Sequence, residues 1–175
     1  MNARRRAPEK TVVLSLGSNL GAREEHILAG VSKLARLPGF TFEALSSLYE
    51  SEPVGISTKN VFINAACLAS SSLAPRELLD ACRMIERESG RGEAGSTRDR
   101  TLDIDIILWG DETVAEDDLM IPHPRFHERL FVLVPLVEIC PGIVVPPSGR
   151  TIGDIYRSCT GGAWVRKVSG RASIR

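Results

Sequence analysis

Arg100-Thr101-Leu102-Asp103-Ile104-Asp105-Ile106-Ile107-Leu108-Trp109 has the β-branched, apolar run of a buried strand, yet it carries two carboxylates. Successive strand side chains point to opposite faces, so Leu102, Ile104 and Ile106 share one face while Asp103, Asp105 and Ile107 share the other. At roughly 3.3 Å of rise per residue the two acids sit about 6.6 Å apart at Cα, near enough to converge on one cation or on two adjacent ones. No lysine lies in the run to compensate them, and a half-buried carboxylate pair is costly unless cations or hydrogen-bond donors satisfy it. The plainer alternative is a solvated face of an amphipathic edge strand, which alternation by itself would also produce. Arg98 and Arg100 before the acids, and Pro122-His123-Pro124 a short way after, favour a site for metal and phosphate.

On either side of this stretch the pattern alternates between period two and period 3.6. Thr11 to Leu16 reads as a strand that stops at Gly17-Ser18-Asn19-Leu20-Gly21, a turn of residues that tolerate unusual dihedrals and cap helices. A helix follows, with Ile27, Leu28, Val31, Leu34 and Ala35 at helical spacing and Pro38-Gly39 as its stop. Phe40 to Glu50 reads as one strand and Val61 to Ser70 as another, the latter placing Phe62, Asn64, Ala66 and Leu68 on a common face. Pro75 opens a second helix with Leu78, Cys82 and Ile85 as its stripe, Glu86 at its border and Gly90 as its stop. Gly90 to Thr97 holds three glycines and no large apolar residue, the composition of a mobile loop and a candidate lid.

Strand, helix, strand, strand, helix, strand is the split βαβ order. It predicts an α+β fold, a ferredoxin-like βαββαβ core with an antiparallel sheet and helices on its face. C-terminal additions are expected: a short strand or hairpin within Thr113 to Ile121, a helix-like set from Glu128 to Ile139 interrupted by Pro135, and a short helix near Thr151 to Tyr156. One domain spanning 1–175 is predicted, loosely ordered over about 1–10 and 160–175.

Lysine plus arginine and aspartate plus glutamate both number 22, so the overall charge makes no case for nucleic acid or an anionic membrane. Cys67, Cys82, Cys140 and Cys159 are scattered without a Cys-x-x-Cys pair and read as reduced fillers. No apolar run reaches the 18 or more residues of a membrane span, and no signal peptide is evident. A cytoplasmic, monomeric protein with small-molecule partners is expected.

Five motifs in order, Gly17-Ser18-Asn19-Leu20-Gly21, Tyr49-Glu50-Ser51-Glu52-Pro53-Val54-Gly55, Phe62-Ile63-Asn64-Ala65-Ala66, Arg100-Thr101-Leu102-Asp103-Ile104-Asp105 and Pro122-His123-Pro124, resemble the 6-hydroxymethyl-7,8-dihydropterin pyrophosphokinases of folate biosynthesis over about 11–157. The resemblance implies transfer of pyrophosphate from ATP to the hydroxymethyl group of the reduced pterin, with AMP released. It assigns two magnesium ions to Asp103 and Asp105, and a phosphate grip to Arg91 and Arg100, whose planar guanidinium suits phosphoryl oxygens. Glu86, Ile106, His123 and Arg129 fall at nucleotide-binding positions. A flat bicyclic ring calls for two aromatic faces and a few fixed polar partners; Phe62 and Phe131 match the stacking positions, Asn64 the edge, and Ser51 and Val54 the remaining contacts. Fusion to a neighbouring folate enzyme is not expected in a chain of this length.

One departure stands out. Where the family commonly carries an aromatic residue and then Gly-Pro-Arg, this chain has Thr97-Arg98-Asp99-Arg100, which implies a less tightly sealing lid. Two other readings keep part of the pattern: a non-catalytic ferredoxin-like binding module, and another magnesium-dependent nucleotidyl or phosphoryl transferase. The module has no need of paired acids, and the transferase has no need of Phe62, Asn64 and Phe131. Arg98 adds a charge that can reach phosphate, so Arg98→Ala is expected to weaken the apparent affinity for ATP in a titration; an unchanged affinity would remove that contact.

Overall fold

The computed structural model describes residues 8–90 and 99–171. Along the chain run β1 (Lys10–Ser18), α1 (Arg23–Leu34), β2 (Phe40–Leu45), β3 (Ser47–Ser51), β4 (Phe62–Ser71), α2 (Pro75–Glu88) and β5 (Asp103–Trp109). The hairpin β6 (Val114–Glu116) and β7 (Leu119–Ile121) follows, then a 3-10 turn at Phe126–Glu128 and α3 (Leu130–Ile139). The chain continues through β8 (Val144–Val145), β9 (Arg150–Thr151), α4 (Ile152–Ser158) and β10 (Val165–Arg171).

The main sheet has the order β10-β3-β4-β1-β5, with β2 also paired to β4, and each of these pairings is antiparallel. Taking β2 and β3 as two halves of one strand, the order β5-β1-β4-β2/β3 is that of two interleaved βαβ units, the expected ferredoxin-like core. The split falls at Ser46, whose N–H donates to Ala66 C=O (2.9 Å) while its Oγ accepts from Ala66 N–H (2.9 Å). A hydroxyl thus takes the place of a ladder carbonyl, and the continuous strand expected over Phe40 to Glu50 breaks there.

Two apolar layers sandwich the sheet. On one face Leu14, Leu16, Ile63, Leu102, Ile104 and Ile106 meet Ile27, Val31 and Leu34 of α1 and Leu78, Cys82 and Ile85 of α2. The alternation of β5 therefore places its apolar set as its sequence demands. On the other face Val13, Ala66, Ile107 and Leu108 meet Val132, Leu133 and Leu136 of α3 and Ile152 and Ile155 of α4. A register shift between Val13 and Leu14 lets Ile107 and Leu108 both join this second layer, and the Ile107 carbonyl accepts from His123 N–H (3.0 Å). α3 runs on through Pro135, and Glu138 near its end accepts from Ser47 N–H (3.0 Å), Ser47 Oγ (2.8 Å) and Tyr49 Oη (2.7 Å).

The tail departs from expectation. Residues 165–171 form β10 on the β3 edge, with Val165 opposite Ser51, Arg166 opposite Glu50 and Lys167 opposite Tyr49. Polar composition hid this strand, because its partners lie more than a hundred residues upstream. Cys67, Cys82, Cys140 and Cys159 are free, and burial pushes the Cys67 and Cys140 thiols up to about 12. Among the described residues no helix is long and apolar enough to cross a membrane.

α1 approaches the sheet through Gly30, where a Cβ would come 2.7 Å from Leu102 Cδ2 in a fully buried neighbourhood. Gly30→Val is expected to cost about 1–3 kcal/mol by overpacking and to lower Tm by about 2–4 °C per kcal/mol. Gly142→Ala, which meets nothing within 4 Å, should leave Tm unchanged in the same calorimetric comparison.

Candidate functional site

The face that carries Ile107 and Leu108 is covered by α3 and α4 at one end of the strands only. At the other end the same face forms the floor of a cleft of about 190 Å³. Opposed residues of the ladders share a face, so the register builds this floor row by row. Asp105 lies opposite Ser15, Asp103 opposite Gly17, Gly17 opposite Asn64, and Phe62 opposite Ser51. Gly17 and Ser15 keep the floor low between the acids and the amide. A Cβ at Gly17 would stand 3.6 Å from Asn64 Oδ1 and 3.7 Å from the Phe62 ring.

The polar end and the aromatic end are distinct. Asn64 is buried and donates through Nδ2 to Ser51 Oγ (2.9 Å) and more weakly to Tyr49 C=O (3.4 Å), which fixes its amide plane. Phe62, Phe131, Val54 and Ile56 supply apolar walls beside it. At the polar end Arg100, Arg125 and Arg129 line the cleft with Asp103 and Asp105. Arg100 pairs with Asp103 through Nη1. The Arg129 guanidinium lies 5.6 Å from the Phe131 ring centroid, and its buried Nε has no hydrogen-bond partner among the described residues.

Asn19 of the β1–α1 turn braces the entrance to β5. Its Oδ1 accepts from Arg100 N–H (2.6 Å) and its own N–H donates to Arg100 C=O (3.0 Å). Its Nδ2 donates to the Asp99 carboxylate (2.7 Å), which also accepts from Asn60 Nδ2 (2.6 Å). The Thr58 hydroxyl, then Asn19 and Asn60, hold the Asp99 carboxyl below its ordinary range by hydrogen bonding.

The electrostatics mark the acid pair. Burial, and after it the charge of Asp103, push Asp105 up to about 7, against the pull of Arg129. Burial and the neighbouring Arg129 charge push His123 down to about 4, so its imidazole is neutral near pH 7. Its Nδ1 accepts from Arg125 N–H (3.3 Å), which leaves Nε2–H as the donor.

Nine of the residues expected from sequence meet in this cleft: Ser51, Val54, Phe62, Asn64, Arg100, Asp103, Asp105, Arg129 and Phe131. His123 borders it, close enough to feel the charges of Arg129 and Asp103. Glu86 is placed differently, buried behind β5 with Oε1 accepting from Ile104 N–H (2.7 Å). It braces the strand that carries the acids and does not line the cleft. Ile106 turns its side chain into the α1/α2 core, so any nucleotide contact at that position has to come from its backbone. Arg91, Arg98 and all of the expected Gly90 to Thr97 lid beyond Gly90 lie outside the described residues. Sequence reading missed Arg125, although it directly follows Pro122-His123-Pro124; it also missed the small floor residues Ser15 and Gly17, which carry no chemical signal of their own.

The family described as 7,8-dihydro-6-hydroxymethylpterin-pyrophosphokinase (HPPK) matches residues 13–141. The chain is 42% identical over 127 residues to the 2-amino-4-hydroxy-6-hydroxymethyldihydropteridine pyrophosphokinase of Bacillus subtilis, covering 73% of this chain and 76% of that one. The enzyme of the same name from Pseudomonas aeruginosa is 37% identical over 148 residues, with 85% and 91% covered. Among solved structures, wild-type Plasmodium falciparum HPPK-DHPS aligns with a TM-score of 0.70 at 16% identity over 87% of this chain. This chain spans 45% of that longer one, and the likeness at such low identity speaks to the fold. With the family matched across most of the sequence and the fold shared, the chain belongs to the 7,8-dihydro-6-hydroxymethylpterin-pyrophosphokinase family.

Proposed function

We propose that this chain transfers the terminal pyrophosphate of ATP to 6-hydroxymethyl-7,8-dihydropterin, giving the pterin diphosphate and AMP. The observation that carries the reading is that the acid pair and the aromatic-amide pocket open into one cleft, so that a phosphate chain and a flat heterocycle can meet end to end. The hydroxymethyl oxygen attacks the β-phosphorus, and the bond from that phosphorus to the oxygen shared with the α-phosphate breaks.

Asp103 and Asp105 fit magnesium by the chemistry of their donors. Magnesium takes hard oxygen ligands and is ordinarily held by one or two carboxylates together with substrate phosphates and water. Among the described residues no group of three or more His, Cys, Asp or Glu forms a closed cage, which suits a site completed by phosphate. Asp105 is pushed up by burial and then by the charge of Asp103, and divalent cations would offset both. Two magnesium ions bound there would neutralise charge on the phosphates and on the leaving oxygen.

The chain's own groups do the rest. Arg100, Arg125 and Arg129 line the cleft together with the acids, and their guanidinium donors can grip phosphoryl oxygens in pairs. Arg91 joins them by resemblance. Neutral His123 offers Nε2–H toward the nucleotide without adding charge. Phe62 and Phe131 supply stacking faces, and the fixed Asn64 amide with Ser51 reads the ring edge. Positioning two substrates in line is the principal means of accelerating such a transfer.

Two outcomes test this. With ATP, magnesium and 6-hydroxymethyl-7,8-dihydropterin, the nucleotide product resolved by chromatography should be AMP, formed in step with pterin diphosphate. Asp103→Ala and Asp105→Ala should each lower kcat by about three orders of magnitude, since metal stabilisation is worth several kcal/mol; ADP as product would overturn the reading. The second test reads Asp105 through stability. Its folded pKa lies above the unfolded value of about 3.9, so its ionisation opposes folding, and metal-free stability is lost as pH rises from about 4 through 7. Asp105→Asn should therefore raise the Tm of the metal-free protein at pH 8, with the gain vanishing near pH 4, in parallel thermal melts.

A further inference from the structure

Asp99 sits at the entrance of β5, and the transfer chemistry leaves it without a role. We propose that Asp99 is a positioning residue that latches the β3–β4 connection against the entrance of β5 and so holds the pterin wall in place before any ligand arrives. The inference rests on the pterin reading of the cleft. The connection runs over residues 52–61. Its first half contributes Val54, Gly55 and Ile56 to the cleft, and its second half carries Thr58 and Asn60 to the Asp99 carboxylate. The same carboxylate accepts from Asn19 Nδ2 (2.7 Å), and Asn19 in turn grips both backbone groups of Arg100.

One carboxylate thus joins three segments that border the site: the β1–α1 turn, the β3–β4 connection and the start of β5. An ionised acceptor shared by two amides and a hydroxyl forms charge-assisted bonds, stronger than neutral ones. Thr58 Oγ1 also accepts from Asn60 N–H (3.1 Å), which gives the latched end a defined turn of its own. The benefit is pre-organisation, because a wall already ordered does not have to be ordered by the ligand.

The test compares Asp99→Ala, Asn60→Ala and the double variant by hydrogen exchange over residues 55–61 and by titration with 6-hydroxymethyl-7,8-dihydropterin. Each single change is expected to speed exchange in that segment and to raise the pterin Kd about fivefold to tenfold. The double variant should be no worse than Asp99→Ala alone, since both changes remove the same latch. The Asn60 change is confined to an exposed loop residue and keeps the test open should Asp99→Ala fold poorly. Unchanged exchange in both single variants overturns the latch whatever the substrate, as does an additive double variant. Faster exchange in a protein whose wild type does not bind the pterin would leave the latch standing and overturn the functional reading instead.

Discussion

Two carboxylates on the same side of one strand are the constraint to which the site answers. Asp103 and Asp105 cannot both be ionised on the cleft floor without compensation, and burial, then the charge of Asp103, raises Asp105 despite the arginines nearby. Arg100 meets Asp103 directly, Arg129 draws on Asp105 from the residue that precedes α3, and Glu86 behind the strand raises Asp105 further by adding a third negative charge. A fully neutralised pair would be a structural ion cluster with nothing left to offer a metal. The residual deficit is what makes the position useful.

The division of the sheet face follows from the same strand. β5 gives one side wholly to the α1/α2 core and splits the other between acids and Ile107. Because α3 and α4 cover only the Ile107 end, the acids remain reachable while the strand that holds them is buried along most of its length. Glu86 then has a clear physical role. Its carboxylate accepts from the N–H of Ile104, between the two acids in sequence, and β5 is the edge of the main sheet. A brace on an edge strand limits the drift of two side chains whose separation matters to what they bind.

Local periodicity carried the elements that define the fold. The period-two runs at β1, β4 and β5 and the stripes of α1 and α2 were legible because each presents an apolar set at regular spacing to the α1/α2 layer. The motifs that marked Phe62, Asn64, Arg100, Asp103 and Asp105 were legible because they combine unlike residue types at strand spacing. Illegible features share a different origin. The break at Ser46 depends on a hydroxyl bonding to a neighbouring strand, and β10 depends on an edge supplied by β3. Neither leaves a trace in local hydropathy. Arg125 and Asp99 read as ordinary charged loop residues, and the tertiary arrangement is what brings Arg125 to the cleft and gives Asp99 its partners in two other loops.

β10 bears on the cleft as well as on the sheet. Arg166 reaches Glu50 through Nε (3.0 Å) and Nη2 (2.6 Å), and Trp164 N–H donates to Glu52 Oε1 (3.0 Å). Glu50 ends its other contacts at Arg23 of α1, whose Nη1 also reaches the carbonyl of Val61 (2.8 Å). The β3–β4 connection is therefore tied at its start by the C-terminal strand and at its end by Arg23 and Asp99. A segment of about ten residues anchored at both ends has much less conformational freedom to lose than one fixed only by the strands it joins. Its cleft-facing residues, Val54 to Ile56, lie between the two anchors, so both anchors limit the freedom of the part of the connection that meets a ligand.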